Sequence, residues 1–263
     1  MRVNKLRQLL NNGEPTVGTR IYNSWPFITE LIGASGKYNY VEFLAEYAPY
    51  DVRDFENICT AAELWGMGSI IKLDFQNRAY VAQKALASGF EGVMWTDHMT
   101  AAEVEESLFF IHPDTPEDAG RFGRPTRRFA LAGPGYMTMP DYVKSQHDIV
   151  NFFMIEKKEA LDNIDEICSV KGVDVVQFGP SDFSMSMGWD PRVNQDDIKA
   201  AERRMIEAAL KHGVRPRCEI QSAEAAKYYI DLGVKDFSLG DELGNNIKWW
   251  NSEGGIIHEI LGK

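Results

Sequence analysis

Short apolar runs alternate with longer amphipathic segments along most of the chain. The runs with strand character are residues 17–22, 38–45, 69–73, 92–95, 149–155, 173–178, 215–220 and 236–239. The segments between them carry apolar residues at helical spacing, and several end in glycine, which commonly closes a helix. Because strands that alternate with helices form parallel sheets, the pattern predicts a parallel α/β fold.

Eight such units in 263 residues favour a closed (β/α)8 TIM barrel, a fold that takes about 250 residues. We therefore expect residues 1–263 to form one domain. A doubly wound open sheet is the alternative, but no GxGxxG sequence follows the first strand. The alternation pauses at residues 111–147, and a segment of that length is expected to be either a solvated excursion or an active-site lid.

Two carboxylates stand at the ends of neighbouring predicted strands. Glu156 directly follows the run 149–155, and Asp182 follows the run 173–178 through Gly179-Pro180-Ser181. Parallel α/β folds bind ligands at the carboxyl ends of their strands. Either acid taken singly fits a helix cap equally well, but two carboxylates together supply hard oxygen ligands. The pair predicts a site for a divalent cation such as Mg or Mn.

The same stretch resembles the HpcH/HpaI aldolase family, the metal-dependent class II pyruvate aldolases. The likeness rests on Ile155-Glu156, on Glu159-Ala160-Leu161-Asp162-Asn163 and on Gly179-Pro180-Ser181-Asp182-Phe183-Ser184. It implies a (β/α)8 barrel in which Glu156 and Asp182 bind Mg, Mn or Co. It also implies a lyase that forms or cleaves a carbon–carbon bond next to a 2-oxo acid, and a homo-oligomer that is a hexamer or a trimer of dimers.

The resemblance further implies how a small 2-oxo or hydroxy-oxo acid is bound. The backbone amides of Ser181 and Asp182 would hold its carboxylate, and Gly179 lets the turn approach the ligand closely. Arg20, at the end of the first predicted strand, is a further candidate for binding a carboxylate or phosphate. It fits a salt bridge as well.

Three positions depart from the family pattern. Tyr47 stands where the family has a histidine that orients the water used in proton transfer, Lys72 replaces an arginine that binds the keto oxygen, and Met154 replaces a glutamine. Lysine keeps the charge but loses the bidentate fork, and a tyrosine with a pKa of about 10 is a poor base near pH 7. These departures predict a retained metal platform with altered proton-transfer residues.

Three other interpretations remain open. The citrate lyase β-subunit group of acyl-CoA lyases also uses a Glu and an Asp at strand ends. Such an enzyme needs a coenzyme A site, for which the candidate is a basic cluster, Arg121, Arg124, Arg127 and Arg128. The second is a non-catalytic, metal-dependent binder of a small oxo acid. A Schiff base at Lys72 is the third, and the paired acids disfavour it.

Composition narrows the partners and the compartment. The net charge of −11 makes nucleic acid an unlikely partner. The three cysteines are scattered, as expected for buried thiols in a reducing compartment. The first residues lack the apolar core of a signal peptide, and no run reaches about 18 apolar residues, so we expect no membrane span and a cytoplasmic location.

Overall fold

A computed structural model describes residues 3–130 and 137–262 of the chain, and its strands form one closed barrel. All neighbouring strands are parallel and follow chain order, with the eighth pairing back to the first. The strands are β1 Thr16–Ile21, β2 Tyr40–Leu44, β3 Gly68–Lys72, β4 Gly92–Trp95, β5 Val150–Ile155, β6 Val175–Phe178, β7 Arg215–Ile220 and β8 Asp236–Asp241. The predicted (β/α)8 TIM barrel is confirmed.

One helix, α1 Lys5–Asn11, precedes β1. The others follow the strands on the outside of the barrel and are α2 Pro26–Ala34, α3 Val52–Leu64, α4 Arg78–Ser88, α5 Ala101–Ile111, α6 Met139–His147, α7 Lys158–Asp162, α8 Ile164–Ser169, α9 Pro180–Met187, α10 Gln195–Lys211, α11 Ala226–Asp231 and α12 Glu242–Ile260. Among the described residues, no helix is both long and apolar enough to cross a bilayer.

The apolar core has two parts. The larger lies between the barrel and the helices, and the smaller fills the barrel interior with Tyr40, Ile70, Phe152 and their neighbours. Leu6 of α1 belongs to the inner part, so α1 closes the amino-terminal end of the barrel. Gly18 is required there, because a Cβ at that position would stand 2.3 Å from the ring of Tyr40.

Residues 111–147, which interrupt the predicted strand–helix alternation, contain one further helix. Helix α6 takes up the last of them, while residues 131–136 lie outside the described residues. Arg128 donates to the carbonyl of Ser88 at 2.6 Å and pairs with Glu63 at 2.7 Å. Both partners lie at the carboxyl ends of α4 and α3, and those helix ends face the amino-terminal end of the barrel.

Candidate active site

The carboxyl ends of the strands surround a pocket of about 190 Å³. Six of the seven predicted site residues line it: Lys72, Tyr47, Arg20, Gly179, Ser181 and Asp182. The seventh, Glu156, is buried directly against the pocket wall, because a Cβ on Gly179 would come within 2.8 Å of its Cβ and 3.0 Å of its Oε2. The fold therefore gathers all seven residues in one place.

Glu156 is an ionisable group held where its charge is poorly solvated. It follows β5, is 2% exposed, and its Oε1 accepts a hydrogen bond of 2.8 Å from the amide of Asp97. Burial raises the pKa of the Glu156 carboxyl to about 7, against the opposing charge of Lys72. A buried carboxylate of this kind gains from a cation at close range.

Asp97 presents its amide to Glu156 from an uncommon backbone conformation. Its φ of 60° lies in the left-handed region, which Asp tolerates better than most residues. Its side chain pairs with Lys157 at 2.7 Å. Burial would lower the pKa of Lys157, but the charges of Asp97, Glu156 and Asp182 together raise it.

Helix α9 begins inside the pocket. Pro180 occupies its first turn and has no amide hydrogen, while the amide of Phe183 donates to the carbonyl of Gly179 at 2.9 Å. The amides of Ser181 and Asp182 are thus the first-turn donors left for a ligand. The predicted turn is the start of a helix, so the helix dipole adds positive potential at the same point.

Lys72 forms a three-membered group with the residues that follow β2. Its Nζ lies 2.6 Å from Glu46 Oε2 and donates to the Tyr47 hydroxyl oxygen at 3.0 Å. Burial would lower the pKa of Lys72, but the charges of Glu46 and Glu156 outweigh burial and raise it. Lys72 is therefore an ammonium ion, which argues against a Schiff-base role because that chemistry needs a neutral amine.

Tyr47 is half-exposed on the rim of the pocket. Burial raises the pKa of its phenol to about 12, in spite of the neighbouring Lys72 charge. Its oxygen accepts a hydrogen bond from Lys72, so its own proton is directed elsewhere. Tyr47 is thus a proton donor near neutral pH.

Arg20 is not a free cation. Its Nη1 donates to Glu219 at 2.6 Å and its Nη2 to Asp241 at 3.1 Å. Glu219 also accepts a hydrogen bond of 2.8 Å from Gln177. The salt-bridge interpretation of Arg20 holds, and the guanidinium enters the pocket already neutralised by carboxylates.

A second ion pair, between Arg217 on β7 and Glu42 on β2, is buried next to the inner apolar core. Arg217 is fully buried and donates to Glu42, and its guanidinium carbon lies 5.4 Å from the ring centroid of Tyr40 and 5.5 Å from that of Phe152. The sequence placed Glu219 at the end of the seventh strand, facing the barrel mouth, and it lines the pocket; the pair of Arg217 with Glu42 was missed. The available signal was the charge at alternate positions of β7, Arg215-Pro-Arg217-Cys-Glu219, which places successive charges on one face of a strand.

The residues present fit a divalent cation. Glu156 is buried with a single hydrogen bond, its second oxygen faces the space kept open by Gly179, and Asp182 follows on the first turn of α9. Within residues 3–130 and 137–262, no cluster of three His, Cys, Asp or Glu side chains forms a metal site. A cation here would need water and substrate oxygens to complete its shell, as Mg commonly does.

Two interpretations from the sequence concern residues 111–147. One is an active-site lid, and the other is a coenzyme A site at the basic cluster of Arg121, Arg124, Arg127 and Arg128. Arg124 donates to the carbonyls of Ala130 and Met137, and Arg127 pairs with Glu56 on α3. Together with the contacts of Arg128, these bonds fasten the segment to itself and to the outer helices. Among the described residues, the contacts of Arg124, Arg127 and Arg128 thus favour neither a coenzyme A site nor a lid over the pocket.

Comparisons with known proteins agree with this geometry. A family model described as HpcH/HpaI aldolase/citrate lyase matches residues 50–235. The chain is 28% identical over 199 residues to the hydroxypyruvate/pyruvate aldolase of Rhizorhabdus wittichii, with 75% of each chain covered. It is 25% identical over 239 residues to a 4-hydroxy-2-oxo-heptane-1,7-dioate aldolase of Escherichia coli, covering 90% of this chain and 88% of that one.

Solved structures show the same fold. Citrate synthase SbnG superposes with a TM-score of 0.85 at 21% identity, covering 99% of this chain and 100% of that chain. At this level of identity the likeness shows a shared fold and carries no information on the reaction.

Proposed function

The chain belongs to the HpcH/HpaI aldolase/citrate lyase family, and we propose that it is a divalent-metal-dependent aldolase acting on pyruvate-type 2-oxo acids. Its family and its aldolase relatives make it a carbon–carbon lyase. The observation that carries the finer proposal is the buried Glu156, whose pKa is raised to about 7 and which lies against the wall of the pocket that Asp182 lines.

Glu156 and Asp182 would hold Mg, Mn or Co. When bound there, such a cation polarises a keto oxygen and stabilises the negative charge of an enolate. The amides of Ser181 and Asp182 would hold the substrate carboxylate, since the first turn of α9 leaves these two donors without intrahelical partners. Gly179 keeps the space beside Glu156 free of a side chain.

Lys72 and Tyr47 supply the remaining charge and the proton. The Lys72 ammonium lies in the pocket wall and would stabilise negative charge on the reacting oxygen without the fork that an arginine offers. In the synthesis direction, the pyruvate methyl group loses a proton to solvent, the new enolate carbon bonds to the aldehyde carbon, and Tyr47 donates a proton to the aldehyde oxygen. In cleavage, Tyr47 passes its own proton to solvent as its oxygen accepts the hydroxyl proton, so the phenol keeps one proton throughout.

A cleavage assay tests this proposal. A panel of 4-hydroxy-2-oxo acids is incubated with the protein and Mg²⁺, and pyruvate release is followed with and without EDTA. We expect release that EDTA abolishes and Mg²⁺ or Mn²⁺ restores. Tight binding of oxo acids without turnover across the panel would contradict the proposal and favour a non-catalytic binder.

Helix α12 supports a homo-oligomer. None of its side chains is buried, and Trp249 and Trp250 are 63% and 60% exposed. Large exposed aromatic groups on one helix are typical of interfaces between subunits. We propose a hexamer or trimer of dimers, which sedimentation velocity would test against a Trp249→Ser, Trp250→Ser double variant that should dissociate.

The remaining expectations on partners and location rest on composition. The three cysteines are buried and not joined in disulfides, in keeping with a reducing compartment, and we propose a cytoplasmic location. Its partner is a small oxo acid, and its net charge of −11 disfavours nucleic acid.

A further inference from the structure

The loop between β4 and α5 carries the amide that binds Glu156. Asp97 donates this amide to Glu156 Oε1 at 2.8 Å, and it does so with a φ of 60°. A residue other than glycine keeps such a conformation only where its surroundings hold it. The cause of the bend therefore lies in the groups packed around Asp97.

His98 restrains the bend directly. Its side chain is 1% exposed, and its Nδ1 lies 2.7 Å from the carbonyl oxygen of Thr96. A carbonyl oxygen only accepts hydrogen bonds, so Nδ1 carries the hydrogen and donates it. Because this bond joins the residue after Asp97 to the residue before it, it closes a short ring around Asp97 and limits the backbone angles of that residue.

The second imidazole nitrogen is fixed from α4 and α5. His98 Nε2 lies 2.6 Å from Ser107 Oγ, and Arg78 Nε donates to the same hydroxyl oxygen at 2.8 Å. The hydroxyl accepts from the guanidinium and gives its own hydrogen to Nε2, which selects one neutral tautomer. The rings of Phe75 and Phe153 stand edge-on to the imidazole, each with its centroid 5.2 Å away.

This environment does not suit a proton relay. Burial lowers the pKa of the His98 imidazole to about 4, so the ring stays neutral near pH 7. His98 is also absent from the lining of the pocket, and both of its nitrogens are already engaged. Its connection to the site runs through the Asp97 amide.

The two ends of the loop are fastened as well. Thr96 Oγ1 donates to the carbonyl of Leu73, just after β3, at 2.7 Å. Asn163, between α7 and α8, donates its side-chain amide to the carbonyl of Met99 at 2.9 Å. Residues 96–99 are thus held from both sides, and a small change at His98 has to be absorbed at Asp97.

The direction of the Glu156 carboxylate depends on this loop. The Asp97 amide occupies Oε1, while Oε2 lies 3.0 Å from the place where a Cβ on Gly179 would stand. The loop therefore assigns one oxygen to the protein and leaves the other facing the open space beside Gly179. A carboxylate whose second oxygen is held by a fixed donor is preorganised as a metal ligand.

We propose that His98 and Asp97 are positioning residues of the metal site, in which the imidazole holds Asp97 in its left-handed conformation and the Asp97 amide orients Glu156 toward the cation. The inference rests on the proposed metal-dependent function. It assigns the Asp97 side chain no direct role, since the backbone conformation and the amide carry the effect.

Two variants of Asp97 separate the backbone from the side chain. Asp97→Asn and Asp97→Val both remove the charge and keep a similar volume, but asparagine tolerates a positive φ and a β-branched valine does not. Calorimetric titration with Mn²⁺ in the absence of substrate measures the affinity. We expect Asp97→Val to bind Mn²⁺ about 10-fold or more weakly, and Asp97→Asn to stay within about threefold of the wild type.

Two variants of His98 test the imidazole. His98→Asn places an amide nitrogen near the position of Nδ1 and can still donate to Thr96, whereas His98→Leu cannot. His98→Leu should weaken Mn²⁺ binding about 10-fold or more, and His98→Asn should restore most of the affinity. Phe55→Leu is the control for lost stability, because it alters a buried ring that packs on Phe90 at 5.7 Å; it should unfold more readily and keep the wild-type affinity.

The outcomes distinguish the two proposals. Wild-type Mn²⁺ affinity in both Asp97→Val and His98→Leu would overturn the positioning role alone, as would an equal loss in Asp97→Asn and Asp97→Val. If circular dichroism shows that His98→Leu is unfolded, the pair of variants at the partly exposed Asp97 decides. A wild-type protein that does not bind Mn²⁺ would overturn the metal-dependent function, and the positioning role with it.

Discussion

The ammonium nitrogen of Lys72 lies 3.0 Å from the phenolic oxygen of Tyr47. The family resemblance implies an arginine and a histidine at these two positions. Glu46 completes the group at 2.6 Å from the ammonium and keeps it charged. The pair therefore keeps a positive charge in the pocket beside a phenol that stays protonated near neutral pH, and we propose that this phenol takes the place of the family histidine in proton transfer.

Tyr47→Phe should reduce aldol addition and cleavage by about 10²-fold. The phenol proton is lost, but the Lys72 ammonium and the metal carboxylates remain, so proton exchange at pyruvate should fall by less than about tenfold. Tyr50→Phe is a suitable control, since Tyr50 packs on Phe55 with ring centroids 4.8 Å apart and does not line the pocket. An equal loss in both variants would contradict the role of Tyr47.

Glu156→Gln should make the metal-free protein more stable than the wild type at pH 8. Burial raises the pKa of Glu156 from 4.5 to about 7, so the folded state holds a proton that the unfolded state has lost between these values. The free energy of unfolding of the wild type should therefore fall as pH rises through this window, by an amount on the order of 3 kcal/mol. Glutamine does not ionise and should show no such fall.

Urea unfolding in EDTA at pH 5 and pH 8 measures this difference. The two proteins should be of similar stability at pH 5 and should separate at pH 8. Adding Mg²⁺ at pH 8 should then stabilise the wild type more than Glu156→Gln, because the variant keeps only Asp182 of the two metal carboxylates. Equal stabilisation of both proteins would place the metal elsewhere.

Gly179→Ala should weaken metal binding by about 10-fold or more. The added methyl group would stand 2.9 Å from Met154 Cε and 3.0 Å from Glu156 Oε2, so the carboxylate must move. Gly254→Ala provides the control, because no atom lies within 4 Å of a Cβ there. Isothermal titration with Mn²⁺ measures both affinities, and unaltered binding to the Gly179 variant would show that the carboxylate is not a ligand.

Arg217→Met should destabilise the fold by roughly 3 to 5 kcal/mol, since it leaves Glu42 buried without its ion-pair partner. The double variant Arg217→Met, Glu42→Gln should recover much of this loss because no buried charge remains. Arg203→Met on the exposed face of α10 should change stability by less than about 0.5 kcal/mol. Urea titrations check all three, and additive effects in the double variant would rule out coupling between Arg217 and Glu42.

The barrel could be predicted because each strand is a local apolar run. β4 and β7 have the predicted bounds, and β5 differs from the prediction by a single residue at its start. Helix α6 was missed because Met139–His147 begins at a Thr-Met-Pro sequence inside a polar segment with several prolines. Helix α9 was interpreted as a turn because Gly179-Pro180 is typical of turns, although proline also suits the first turn of a helix.

The candidate site was predictable only in part. Glu156 and Asp182 stand in a local motif, and Lys72 and Tyr47 could be placed through the family resemblance. The ion pair of Arg20 with Glu219 joins residues that are 199 apart in sequence, and no local pattern specifies such a pair. Arg20 on β1 is neutralised by Glu219 on β7 and Asp241 on β8 because these three strands come together when the barrel closes.

The most direct test of the account is deuterium exchange into the methyl group of pyruvate, followed by NMR in deuterated buffer with Mg²⁺. Exchange by the wild-type protein should be lost on EDTA treatment and in Asp182→Ala, and should fall about 10²-fold or more in Lys72→Met, with partial recovery in Lys72→Arg. Asp182→Ala should remain folded by circular dichroism. Exchange that persists undiminished in EDTA or in the Asp182 variant would contradict a metal-assisted enolate at Glu156 and Asp182.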